Sequence, residues 1–255
     1  MVKVFSKCLR IAILLIISMT YQSTSAQSRG SLKAIDLRVE YLENPVGIDI
    51  TEPRLSWIVT SDERAQNQSA YQILIASNPT TLKKGGADLW DTGKVTSSET
   101  NHIVYTGKPL KSRMQIYWKV RSWDKNDNVS EWSDVATWSM GLLSFLDWEA
   151  AWIGYDIPEE ELDEDKELEL APSPYLRTEF DTKLGGKIKR ATIYASAMGL
   201  FELRLNGERV GEDYFTPGWT DYNKRIYYFT YDVTGQIEEG ANALGAILSD
   251  GWYAG

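Results

Sequence analysis

The fold of this chain is decided by one stretch, Gly199-Leu-Phe-Glu-Leu-Arg-Leu-Asn-Gly207. Phe201, Leu203 and Leu205 alternate with charged residues, and this period of two is typical of a β-strand with one buried face. Asn-Gly follows at once, and this dipeptide favours a two-residue hairpin turn because both turn residues need positive φ. The stretch therefore predicts a strand that ends in a tight hairpin.

The residues around this hairpin continue the β pattern and define a module at residues 175–255. Further strands are predicted at Tyr175 to Phe180, Ala191 to Ala195, Ile226 to Tyr231 and Ala243 to Leu248. No helix is predicted, and a long excursion runs between Gly211 and Lys224, so we expect a jelly-roll β-sandwich. A jelly roll needs about eight strands, whereas this module shows five or six. We therefore expect an incomplete sandwich that aggregates alone or needs a continuation to fold.

Residues 31–141 form an earlier module with the same period of two in short runs. Its clearest strands, each expected to bury one face, are Leu37 to Tyr41, Leu55 to Val59, Tyr71 to Ile75 and Ile116 to Val120. Turn-forming residues such as Asn44-Pro45 separate these strands. The spacing of the turns fits about seven strands in roughly 110 residues, as in a β-sandwich. The chain is thus predicted to be all-β, with two sandwiches in series.

The two modules are joined by residues 142–174, which carry most of the negative charge. Eight acidic residues and one lysine lie between Glu159 and Glu169. Like charges at this density repel one another and bury little apolar surface, so a solvated loop is predicted. A calcium site is the alternative, although the run lacks the spaced Asp, Asn and Gly pattern of a calcium loop. Trp148 and Trp152 are expected to pack at the edge of the second module.

Residues 1–26 predict export. Three basic residues flank an apolar run from Ile11 to Met19, and small residues follow up to Ala26. This order is typical of a cleavable signal peptide, and an apolar run of about nine residues is too short to span a bilayer. The mature protein is therefore expected in the periplasm or outside the cell, without a membrane span. Cleavage would also remove Cys8, the only cysteine.

Charge and aromatic content narrow the function classes. Cleavage changes the balance from 27 basic against 36 acidic residues to 24 against 36, a net charge of −12. This excludes the basic surface that nucleic-acid binding needs. Ten tryptophans and fourteen tyrosines suit either packed sandwich cores or sugar-stacking platforms, and the core is favoured for any single aromatic residue.

Three motifs of the first module resemble a fibronectin type III domain. They are Arg54-Leu-Ser-Trp57, Tyr117-Trp-Lys-Val-Arg121 and Ser130-Glu-Trp-Ser133. The resemblance implies a fibronectin type III-like β-sandwich, and such a module is most often a spacer.

Six blocks of the second module resemble, in order, the N-terminal domain of bacterial α-L-rhamnosidases, glycoside hydrolase family 78. The blocks are Ser173-Pro-Tyr-Leu-Arg177, the stretch from Gly199 to Gly207, Pro217-Gly-Trp-Thr220, Tyr231-Asp-Val-Thr234, Glu239-Gly-Ala-Asn242 and Asp250-Gly-Trp-Tyr253. The resemblance implies the non-catalytic front part of an exo-acting, inverting hydrolase that removes terminal α-L-rhamnose from plant glycans. It also implies a catalytic (α/α)6 barrel in cis beyond Gly255, with two carboxyl groups about 6.5–9.5 Å apart. The chain itself has no catalytic constellation, and its one histidine, His102, is predicted to be a surface residue.

Two loops combine aromatic rings with hydrogen-bonding groups, the combination that a site for a neutral sugar requires. The candidate rhamnose-binding residues are Trp219, Asp221, Tyr222, Asp250, Trp252 and Tyr253. Trp219 and Trp252 have a second interpretation, which we favour, as residues that pack the jelly roll against the catalytic domain. No cofactor is required, but some relatives of this domain bind rhamnose with calcium. Calcium would take oxygens from Asp213, Asp221 or Asp250.

Two other function classes stay open. One is a non-catalytic, sugar-binding or adhesive surface protein made of β modules, and the other is the accessory part of a β-galactosidase-type glycosidase. The continuation of the gene distinguishes them. A long helical repeat favours the rhamnosidase, further sandwiches favour the surface protein, and a (β/α)8 pattern favours the third class.

Overall fold

The computed structural model describes residues 31–154, 172–182 and 187–253. The predicted signal peptide and the acidic run at residues 159–169 lie outside these residues. Almost every regular element within them is a β-strand, which confirms the all-β prediction. No helix in this part of the chain is long and apolar enough to cross a membrane.

The first module is a sandwich of two antiparallel sheets. Its elements are β1 (Leu32–Val39), β2 (Arg54–Ser61), β3 (Ala70–Ala76), helix α1 (Pro79–Lys83), β4 (Trp90–Asp91), β5 (Val95–Thr96), β6 (Ile103–Val104), β7 (Gln115–Trp123) and β8 (Ala136–Ser139). One sheet has the order β1-β2-β6, and the other has the order β4-β3-β7-β8, with β5 paired to β3. Apolar side chains of both sheets, including the fully buried Trp118 and Trp138, fill the space between them.

The prediction that each strand buries one face is wrong for β3, which is buried on both faces. Ile73 and Ile75 face the main core, whereas Leu74 and Ala76 pack against Leu82 of α1 in a second cluster. Helix α1 has only five residues, so its period of 3.6 cannot be seen in the sequence. A short helix on the outer face of the sheet therefore gives β3 its second buried face.

A charged cluster ties the end of β1 to the start of β2. Arg54 binds the Glu40 carboxylate through Nη2 at 2.5 Å and through Nε at 3.1 Å. The Arg54 guanidinium also donates to the Tyr41 hydroxyl, which contacts Nε2 of the exposed His102 at 2.9 Å. Hydrogen bonds from Arg54 hold the pKa of Glu40 below its usual range, although burial acts to raise it.

Acid should destabilise the first module through Glu40. The folded pKa lies below the unfolded value of about 4.3, so the stabilisation is complete above that value and is lost as pH falls through the folded pKa. We expect Glu40→Gln to lower the free energy of unfolding near neutral pH by about 1 kcal/mol, because solvent screens the half-exposed Arg54. We also expect it to flatten the acid-induced decrease. Urea unfolding at a series of pH values measures both effects, with the exposed Glu43→Gln as control. Parallel pH profiles for the wild type and Glu40→Gln would contradict the prediction.

The second module has six strands in its described residues. They are β9 (Tyr175–Asp181), β10 (Thr192–Ala195), β11 (Leu200–Leu205), β12 (Glu208–Arg209), β13 (Phe229–Asp232) and β14 (Ala241–Ser249). The larger sheet has the order β12-β11-β14-β9, and β10 pairs with β13 in a second sheet. The hairpin between β11 and β12 is confirmed, with φ of 53° at Asn206 and 87° at Gly207. Strand β13 begins at Phe229, three residues after the predicted Ile226. Just before it, the Tyr228 side chain extends toward the first module, where its hydroxyl accepts the Leu142 N–H.

An amide network fastens the hairpin to the start of β14. The Asn242 side chain is buried, and its Oδ1 accepts from Asn206 Nδ2 at 2.8 Å and from the Glu238 N–H at 2.9 Å. Its Nδ2 donates to the carbonyl oxygens of Glu238 at 2.9 Å and Gly240 at 2.8 Å. Four hydrogen bonds therefore converge on the buried Asn242 side chain, beside the hairpin formed by β11 and β12.

Candidate functional site

The loop between β12 and β13 presents four exposed aromatic side chains, of which three are more than two-thirds exposed and the fourth, Tyr227, is 43 % exposed. Tyr214, Phe215 and Trp219 are 76 %, 71 % and 72 % exposed. Thr216 anchors the loop: Phe201 N–H donates to Thr216 O at 2.8 Å, and Thr216 Oγ1 donates to Phe201 O at 2.7 Å. Phe215 takes a left-handed backbone conformation with φ of 57°, which is unusual for an aromatic residue. The aromatic side chains therefore stand on a fixed base.

The turn that follows β14 lies beside this loop. It runs from Asp250 to Tyr253, and the Tyr253 N–H donates to Asp250 O at 3.0 Å. The Tyr253 ring meets the Tyr222 ring edge to face, with 5.4 Å between the ring centroids. Both segments that were predicted to bind sugar are loops, as expected, and the structure brings them together at Tyr222 and Tyr253.

The other predicted site residues are placed differently. Trp219 makes no ring contact with another aromatic residue in the described part of the chain. Asp221 is engaged within its own loop, where Oδ1 accepts from the Asn223 N–H at 3.2 Å and Oδ2 pairs with Lys224 Nζ at 2.8 Å. The carboxylate of Asp250 is exposed, and Trp252 is half-exposed. Asp250 is therefore more available to a ligand than Asp221.

A cavity of about 720 Å³ opens next to the turn, and sequence reasoning did not predict it. Asp250 and Tyr253 line it together with Trp148, Trp152 and Tyr194. Its floor is the inner face of the larger sheet, formed by apolar residues that include Leu176, Leu203, Leu244 and Leu248. The walls are thus mainly apolar and aromatic, as ligand pockets generally are.

The predicted packing of Trp148 on the second module is confirmed, and Trp152 is more exposed than expected. The Trp148 ring lies 5.8 Å from the ring of Tyr228, centroid to centroid. Trp152 is 58 % exposed but lines the cavity. Trp148 is far from β10 and β13 in the sequence. The one sequence signal for its packing is the pair of tryptophans, Trp148 and Trp152, that precedes the second module.

The calcium expectation stays a prediction. No three His, Cys, Asp or Glu side chains lie close enough together to hold a metal ion within residues 31–154, 172–182 and 187–253. At Asp213, the backbone carbonyl accepts a hydrogen bond from Arg209. Burial and, after it, the nearby Asp213 raise the pKa of Tyr231 to about 12. The described carboxylates therefore do not form the multidentate oxygen set that Ca²⁺ prefers.

Two family models match the chain. One is described as the Rha78A-like, N-terminal immunoglobulin domain and matches residues 34–144, and the other is described as the alpha-L-rhamnosidase N-terminal domain and matches residues 186–255. The chain has the N-terminal domains of an α-L-rhamnosidase. The matching family model thus describes the first module as an immunoglobulin domain. The immunoglobulin and fibronectin type III folds share the predicted β-sandwich architecture.

Curated α-L-rhamnosidases are similar over most of this chain. The protein from Alteromonas sp. (strain LOR) is 43 % identical over 226 residues, which cover 88 % of this chain and 24 % of that relative. One from Formosa agariphila is 40 % identical over 216 residues, covering 85 % of this chain and 23 % of that relative. The chain therefore spans about a quarter of the length of these two relatives.

Solved α-L-rhamnosidase structures share the fold. The structure from Dictyoglumus thermophilum has a TM-score of 0.75 and 37 % identity, and the match covers 90 % of this chain and 26 % of that chain. The structure from Streptomyces avermitilis, complexed with L-rhamnose, has a TM-score of 0.75 and 27 % identity over 88 % of this chain and 37 % of that one. The two modules thus occur together in larger rhamnosidases.

Proposed function

We propose that this chain is the non-catalytic accessory region of a secreted α-L-rhamnosidase that hydrolyses terminal α-L-rhamnose from plant glycans. In this proposal the second module binds rhamnose-containing carbohydrate and a catalytic domain in cis performs the hydrolysis. One observation carries the binding role: the Tyr253 ring, which Tyr222 contacts edge to face, lines a cavity together with Trp148, Trp152 and Asp250.

The chemistry of the site suits a deoxy sugar. Aromatic rings accept the C–H face and the methyl group of the ring, and a carboxylate such as Asp250 accepts hydrogen bonds from hydroxyl groups. The Tyr222 hydroxyl is buried and has no hydrogen-bond partner among the described residues. Tyr222 does not line the cavity, and a hydroxyl with almost no exposed surface is out of reach of a ligand, so Tyr222 would act by holding the Tyr253 ring in place.

The same cavity argues against catalysis at this site. Inversion needs an acid and a base, about 6.5–9.5 Å apart, whereas Asp250 is the one carboxylate among the described residues that line the cavity. Binding without hydrolysis is therefore the role that the site supports. Export to the periplasm or beyond is part of the proposal, on the basis of residues 1–26.

Removal of the Tyr253 ring should weaken sugar binding. An aromatic contact contributes about 0.5–1.5 kcal/mol beyond its buried area, so we expect Tyr253→Ala to weaken L-rhamnose binding by up to about tenfold. Tryptophan fluorescence titration of the chain measures this, with Trp219→Ala and Trp252→Ala as further variants. Tyr175→Ala, which removes an exposed tyrosine of β9, is the matched control. No saturable signal in any background would contradict the binding role.

The full-length enzyme separates binding here from binding at the catalytic site. If the second module captures substrate, Tyr253→Ala should raise KM for a rhamnosylated polysaccharide and leave KM for p-nitrophenyl α-L-rhamnoside unchanged. If Trp219 and Trp252 pack on the catalytic domain, their alanine variants should lower the melting temperature of the full-length enzyme without changing the affinity for rhamnose. Absence of any activity on the rhamnoside would contradict the rhamnosidase assignment.

A further inference from the structure

The segment that follows β8 is fixed to the first module. Ser112 Oγ accepts from the Leu143 N–H at 2.8 Å and donates to the carboxylate of Asp147. The same carboxylate accepts from the Ser144 N–H at 2.9 Å, which caps a 3₁₀ turn at Phe145–Asp147. Residues 142–148, predicted as the start of a linker, are therefore part of the first module's surface.

Tyr228 of the second module inserts into this surface. Its hydroxyl accepts the Leu142 N–H at 2.7 Å, and its ring packs against Trp148 at 5.8 Å and against Tyr194 at 6.3 Å. Burial raises the pKa of the Tyr228 hydroxyl. A half-buried tyrosine that bonds a backbone amide of the other module fixes both its position and its direction.

Two glycines of the first module allow this close approach. A Cβ on Gly141 would lie 2.3 Å from Tyr228 Oη and 2.7 Å from Gly47 O. A Cβ on Gly47 would lie 2.3 Å from Thr230 Oγ1. Gly47 also has a φ of 77°, whereas Gly141 has no positive φ. At Gly141 the need for glycine is therefore one of space alone.

A pair of arginines completes the contact on a second side. Arg190 of the second module donates through Nη2 to Arg113 O at 2.7 Å and through Nη1 to Gln115 Oε1 at 3.1 Å. In return, the Arg113 guanidinium of the first module lies over the Tyr194 ring at 5.9 Å. Directional contacts thus run both ways across the interface.

We propose that these contacts join the two modules into one rigid unit, in which the immunoglobulin-like module sets the direction of the second module's aromatic loops. Domains of one chain are expected to move relative to one another unless their interface is large and specific. Here the specificity comes from the Tyr228 hydroxyl and from the close contacts of the second module with Gly47 and Gly141, where the first module has no side chain in between. Trp148 and Tyr194 of this interface also line the cavity, but the inference does not require that the cavity binds sugar, because the contacts that carry it are made within the protein and do not involve the side chains of Trp219 or Trp252.

Hydrogen–deuterium exchange of the full-length protein that carries this chain tests the proposal. We expect Gly141→Ala to speed exchange roughly tenfold or more in peptides that cover residues 142–148 and 226–231, since it removes at least one intermodule hydrogen bond. Gly235→Ala is the matched control, because a Cβ there meets nothing within 4 Å. Tyr228→Phe removes the hydroxyl that accepts from the Leu142 N–H and donates to Leu142 O at 3.5 Å, and it should raise exchange of residues 142–148 alone.

Protection within β3 and β7 shows whether each variant is folded. If Gly141→Ala loses that protection as well, Tyr228→Phe decides, because it adds no atoms to the interface. Faster exchange at residues 142–148 in Tyr228→Phe supports the rigid unit. Unchanged exchange in both segments for Gly141→Ala, or in residues 142–148 for Tyr228→Phe, would overturn it.

Discussion

Trp118→Ala is expected to destabilise the first module by about 3–5 kcal/mol, because it empties a large volume at the centre of a packed core. Trp118 is fully buried on β7, between the two sheets. A loss of this size is a large fraction of the stability of an ordinary domain, about 5–15 kcal/mol. Urea unfolding followed by far-ultraviolet circular dichroism measures the change.

Phenylalanine at the same position separates volume from hydrogen bonding. Trp118 Nε1 has no hydrogen-bond partner in the described part of the chain, so Trp118→Phe loses volume only. Trp57→Phe also loses the bond from Nε1 to Gln68 Oε1, at 3.1 Å. We therefore expect Trp57→Phe to cost about 1 kcal/mol more than Trp118→Phe. The reverse order, or a cost for Trp118→Ala below about 1 kcal/mol, would contradict this account of the core.

Asn242→Ala is expected to cost the second module about 3 kcal/mol. The substitution removes four part-buried hydrogen bonds and leaves Asn206 Nδ2 and backbone groups of Glu238 and Gly240 without that partner. Each buried polar group left unpaired costs about 1–3 kcal/mol, reduced where water enters. Hydrogen exchange of β11 and β14 amides measures the loss. Asn223→Ala removes an exposed amide of the same module and should leave exchange unchanged. Equal exchange rates in both variants would contradict a structural role for the network.

Most of the alternating stretches are strands, but β1 spans Leu32–Val39 rather than the predicted Leu37 to Tyr41, because Glu40 and Tyr41 take positive φ and turn the chain. The hairpin at Asn206-Gly207 forms as predicted, because the alternation before it and the turn chemistry agree. The second buried face of β3 could not be predicted, since it depends on a helix of five residues. The late start of β13 depends on Tyr228, whose hydrogen-bond partner is 86 residues away in the sequence.

The candidate site could be predicted only in part. Aromatic residues next to Gly, Pro and Asp indicate loops, and both segments are loops. The contact between Tyr222 and Tyr253, by contrast, requires two loops 31 residues apart to meet, and nothing in either segment encodes that pairing. The cavity needs residues from the segment after β8 as well as from the second module. Such sites arise from tertiary packing, which local sequence patterns do not predict.

The glycine surfaces at Gly47 and Gly141 bear on how such proteins can be recombined. A chimaera that takes the first module from one rhamnosidase and the second from another would bring unrelated side chains onto a surface with no room for a single methyl group. Crossover points between Gly141 and Tyr228 should therefore give insoluble products unless Tyr228 and Thr230 travel with both glycines. For shuffling and for grafting onto other hydrolases, the smallest exchangeable cassette is the pair of modules.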